Sequence, residues 1–116
     1  MMALGKHYPM KSDIRERDDN YLLEIDLPGF QKDAIQAYVD NGYLIVSAER
    51  TREKEKENHK WIRQERYYGT YQRSFYIGTE ISQEDLKASY HMGVLRIQIP
   101  KKPKTSKTNA GAIKIA

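Results

Sequence analysis

The sequence predicts an all-β, immunoglobulin-like antiparallel β-sandwich made by one domain of a 116-residue chain. Three observations predict it. Apolar and polar residues alternate with period two in several short segments. Turn-forming Gly, Pro, Asn and Asp punctuate them. Only Ser82-Gln83-Glu84-Asp85 resembles a helix start, with room for about one turn before alternation resumes.

The first strand candidate covers residues 12–17, and Asp18-Asp19-Asn20 then supplies ordinary turn residues. Tyr21, Leu23, Ile25 and Leu27 share one face, with Glu24 and Asp26 on the other, until Pro28-Gly29 turns the chain. Ile35, Ala37 and Val39 alternate with Gln36 and Tyr38. Asp40-Asn41-Gly42 tolerates positive φ, and Leu44, Val46 and Ala48 complete a hairpin. Residues 71–77 read as a strand with Arg73, Phe75 and Ile77 on one side. A second hairpin has Leu86, Ala88 and Tyr90 on one arm, Met92-Gly93 at the turn, and Leu95, Ile97 and Ile99 on the other arm before Pro100.

Residues 50–60 are too charged to pack and read as a long projecting loop. A loop of that length in a compact domain usually signals function or flexibility. The strand-like segment after it, residues 61–68, carries the only Trp and is free to pair away from its parent sheet, with a second chain.

Composition narrows the function classes. No apolar run approaches the ~20 residues that span a bilayer, and no apolar export segment opens the chain, so no membrane association is expected and the location defaults to the cytoplasm. With no cysteine, disulfide and thiolate chemistry are excluded. The net charge of +4 is concentrated in a tail: residues 101–116 hold five lysines and no acid, leaving the rest at −1. A solvated linker explains such a tail better than nucleic-acid binding, which uses a basic face on the folded domain. His7, His59 and His91 have no metal-ligand spacing, and no phosphate loop or nucleophile elbow is present. The expectation is no enzyme activity, no metal and no cofactor.

Several segments taken in order resemble the small heat shock protein family of bacterial type, built on an alpha-crystallin domain. They are residues 9–16 with 21–30, Asn41-Gly42-Tyr43-Leu44-Ile45-Val46, residues 61–69 with Arg73-Ser74-Phe75, Gly93-Val94-Leu95, and Ile113-Lys114-Ile115. The resemblance implies a short N-terminal arm (1–8), an alpha-crystallin domain (9–101) and a flexible C-terminal extension (102–116). It implies that the segment carrying Trp61, Ile62, Arg63, Glu65 and Arg66, together with Arg73, serves strand exchange with a second copy. Gly93, Val94 and Leu95 match the family's signature before the final strand. Members usually carry a Phe-rich arm of some tens of residues, whereas about eight residues precede Pro9 here, so modest chaperone potency is expected.

Ile113 and Ile115, spaced by two, project to one side of an extended tail and can enter a groove at a sandwich edge. The resemblance points to the strands containing Ala37, Val39, Leu86 and Ala88, on a neighbouring chain. The function expected is ATP-independent holding of partly unfolded proteins by a dimer or higher oligomer, without nucleic-acid or membrane partners. Two other classes carry their own marks. A CS-domain-like co-chaperone would be monomeric, and a nucleic-acid-binding β domain would lose affinity steeply with salt.

Overall fold

A computed structural model describes residues 10–50, 69–103 and 112–116. Among them seven strands form two antiparallel sheets: β1 (Ser12–Glu16), β2 (Asn20–Asp26), β3 (Ile35–Asp40), β4 (Tyr43–Arg50), β5 (Gly69–Tyr76), β6 (Lys87–His91) and β7 (Val94–Pro100). One sheet has the order β1-β2-β7-β6 and the other β3-β4-β5. The segment 61–68 lies outside the described residues.

Period two holds where the sequence announces it. β3 alternates buried Ile35, Ala37 and Val39 with exposed Gln36, Tyr38 and Asp40. Leu23, Ile25, Leu44, Val46, Leu95 and Ile97 come from three strands, and together they form the centre of the core between the sheets. Register follows from this burial, because slipping β7 by one residue against β2 would turn Leu95 and Ile97 out to water.

Both expected hairpins close through two-residue turns of positive φ, Asn41-Gly42 (51° and 84°) and Met92-Gly93 (52° and 79°). This backbone matches the twist of the flanking strands. Asn is at ease there. At Gly93 the reason for glycine is also steric, since a Cβ would stand 3.3 Å from the Pro28 backbone.

Three details depart from the alternation. Leu86 precedes β6 and closes a 3-10 turn, Gln83–Asp85, whose capping box joins Ser82 and Asp85. A second 3-10 turn, Lys32–Ala34, leads into β3, where no start signal stands in the sequence. Tyr21 shares a face with Leu23 but sits at the rim, 37% exposed.

The turn after β2 is held by side chains from distant strands. The Tyr90 hydroxyl lies 2.6 Å from the Leu27 carbonyl oxygen and 2.9 Å from that of Phe30, sharing its proton between them. Arg50 donates to the Pro28 carbonyl at 2.6 Å and stacks over the Phe30 ring. Burial raises the Tyr90 phenol above its ordinary value of 10.0. The unfolded chain therefore releases this proton first, so the Tyr90 contribution is intact below pH ~10 and is lost as pH rises through the folded value. Tyr90→Phe is expected to lower stability by about 1–2 kcal/mol at neutral pH. It should also shrink the loss between pH 8 and 11. Urea unfolding at both pH values checks this, and an unchanged pH dependence would refute it.

Candidate functional site

The sandwich has two lateral openings. One lies between the edge strands β3 and β6, and the last described residues occupy it. The Ile113 N–H donates to the Ala37 carbonyl at 2.8 Å, tying the tail to β3. On the other side Ile115 forms a parallel bridge to Ala88. The Ala116 N–H donates to the Ala88 carbonyl at 2.8 Å, and the Tyr90 N–H donates to the Ala116 carbonyl at 3.1 Å. The tail is a short strand laid across both sheets.

Side chains explain the specificity. With a spacing of two, both isoleucines face inward while Lys114 stays exposed. Ile113 is only 7% exposed and joins the core, and Ile115 packs partly buried against it. The tail touches the backbones of Ala37, Ala88 and Tyr90, and the small side chains of the two alanines permit that approach. Val39 and Leu86 are buried members of the same core. The occupant here is the chain's own tail, on its own domain.

The tail does not fill its opening. A cavity of about 540 Å³ remains beside it, walled by Ile35, Ile113 and Ile115 and rimmed by Gln31, Lys32, Asp33 and Gln36. The sequence pattern marks Ile35 as a core residue only. The 3-10 turn that carries the polar rim has no sequence signal, so this part of the site was not legible.

Other expected site residues fall as follows. Arg73 lies on the inner side of β5, donates from Nη1 to the Met10 carbonyl at 2.7 Å, and places its guanidinium 5.1 Å from the Phe75 ring centre. Gly93 makes the β6–β7 turn, Val94 starts β7, and Leu95 is fully buried. Trp61, Ile62, Arg63, Glu65 and Arg66 are outside the described residues. β1, which the exchanged segment is expected to join, is the outer strand of its sheet, and Ile14 in its middle is 61% exposed.

On the outer face of the four-stranded sheet, Arg15 and Arg96 both pair with Glu24, at 3.3 and 2.8 Å. No helix among the described residues is long and apolar enough to cross a membrane.

The fold of two paired antiparallel sheets agrees with what comparison finds. The profile of the Hsp20/alpha crystallin family matches residues 13–116. The chain belongs to that family. A probable Hsp20 family chaperone of Onion yellows phytoplasma is 40% identical over 93 residues, which cover 80% of this chain and 68% of the relative. The 18 kDa heat shock protein of Clostridium acetobutylicum is 44% identical over 96 residues, covering 81% and 63%. The chain thus spans about two thirds of the length of these curated relatives. Among solved structures, heat shock protein 16.0 of Schizosaccharomyces pombe superposes with a TM-score of 0.70 at 28% identity, covering 90% of this chain and 97% of that one. The hspA of Xanthomonas axonopodis gives 0.64 at 33% identity, covering 83% and 96%. Membership in the Hsp20 family supports a chaperone role, and the family is not one of enzymes.

Proposed function

We propose that this Hsp20 domain is an ATP-independent holdase, which keeps partly unfolded proteins from aggregating by offering them the apolar groove that its tail vacates. The observation that carries the reading is the seat of Ile113 and Ile115 between β3 and β6. Burying an isoleucine is worth roughly 1.5–3 kcal/mol, so two contribute about 3–6, less the cost of ordering the tail. A contact of that size opens often. An extended apolar segment of a client can then use the same backbone groups of Ala37 and Ala88, which recognise main chain rather than sequence.

Assembly follows from the same parts. The linker from Pro100 to Ile113 spans at most ~45 Å, enough to reach a neighbouring groove as well as its own. Neighbour docking joins subunits, while docking at home closes one. The edge of β1, which no strand among the described residues covers, supports a dimer made by the segment carrying Trp61, Ile62, Arg63, Glu65 and Arg66 of a second copy, with Arg73 behind it. Deleting residues 50–68 is expected to leave a monomer in gel filtration with light scattering. A deleted chain that stays dimeric would overturn the exchange.

The chaperone reading is tested by light scattering of a heated or reduced client at several molar ratios. Suppression is expected without ATP, unchanged by its addition. Strict dependence on ATP, or no suppression at any ratio, would sink it.

A further inference from the structure

Among the described residues the second lateral opening, between β1 and β5, is closed at one end only. Met10, 1% exposed, plugs that end: its carbonyl accepts from Arg73 of β5, and the next carbonyl, of Lys11, accepts from the Asp26 N–H of β2. Toward the other end lies an apolar cleft of about 440 Å³, walled by Ile14, Leu23, Phe75, Ile77, Ile81 and Ile99. The one charged residue on its wall is Lys101, whose ammonium is engaged by Glu16 at 2.8 Å. Such a cleft selects an uncharged apolar occupant.

We propose that this cleft is a second docking site, and that its occupant is the chain's own N-terminal segment, Met1-Met2-Ala3-Leu4. No side chain of the run is charged, and methionine's unbranched, adaptable side chain suits an irregular gap. Connectivity favours it over every other apolar stretch, because Met10 already enters through this opening. Ile14 lies four residues along β1 from Met10, ~13 Å, while six extended residues carry Leu4 up to ~20 Å from Met10. The run can therefore fold back onto the cleft, and so short a tether holds it at an effective concentration in the millimolar range. The two openings are then covered by segments that flank the one domain on either side. The exchanged strand uses the outer backbone edge of β1, not the space between the sheets, so neither proposal depends on the other.

The chain has no cysteine, so Gly5→Cys provides a single attachment point for a nitroxide just outside the apolar run. In the full chain, methyl signals of Ile14, Ile77, Ile81 and Ile99 are expected to broaden at least fivefold more than those of Val39 and Ile113 at the opposite opening. Ile14→Asp, at an exposed position that leaves the core intact, should remove most of this broadening from the remaining three, and Ile14→Leu should keep it. Mixing nitroxide-bearing chains with isotope-labelled ones separates the sources. Broadening seen only between different chains would assign the cleft to a second copy and overturn the proposal. Uniform broadening, or none at the cleft, would overturn it equally.

Discussion

Replacing Ile113 and Ile115 together by alanine is expected to empty the β3–β6 opening. Together the two substitutions remove roughly 3 kcal/mol or more of apolar burial, so tail docking weakens by at least ~100-fold. Hydrogen exchange reads this directly. The amides of Tyr90, Ile113 and Ala116, all donors in the docked arrangement, should lose protection, while those of β2 and β7 in the sheet centre keep theirs. Native mass should fall or subunit exchange should quicken, if tails also join subunits. Lys114→Ala, between the two isoleucines but exposed, is the control and should change neither readout. Retained protection at Ala116 in the double variant would show that the backbone bonds alone hold the tail.

Ile97→Ala is expected to cost about 2–5 kcal/mol, a large part of the 5–15 kcal/mol that stabilises an ordinary domain. Ile97 is fully buried in β7, paired with Leu23 on one side and Ala88 on the other. The cavity left there cannot collapse easily, because hydrogen-bonded strands flank it on both sides. Ala88 also receives the tail, so the damage should reach the groove: the Ala116 amide should lose protection ahead of global unfolding. Urea unfolding gives the first number and native-state exchange the second. A loss under about 1 kcal/mol would contradict the packing described.

Most of the sandwich was legible because its strands bury one face and solvate the other, which writes a period of two into the chain. Ala37, Val39, Leu44 and Val46 are marked by that rule alone, and Asn41-Gly42 by the positive φ their turn demands. The groove was legible only through its occupant: Ile113 and Ile115 stand out because nothing in a tail of Lys, Thr, Ser, Asn and Gly would otherwise bury them. Which strands receive them came from family resemblance, since pairing between distant segments leaves no trace in periodicity. The β1–β5 cleft was illegible for a related reason. Ile77 and Ile99 read as ordinary strand-face positions and Ile14 only as part of a strand candidate, and the sheet order alone decides that they line an opening. The polar rim of the tail groove arises from a 3-10 turn too short to have a signature.

By bonding to Ala37 in one sheet and to Ala88 and Tyr90 in the other, the tail acts as a clasp across a seam. Undoing a clasp changes the garment as well as the opening. Once the tail leaves, β6 becomes an outermost strand held by β7 alone, and β3 by β4 alone, so both lips of the seam are freer to shift. On the holdase reading proposed above, the groove a guest would meet is thus more compliant than the one the tail occupies. Such compliance would suit guests of no common shape, since a lip that yields can adapt to whatever apolar residue arrives.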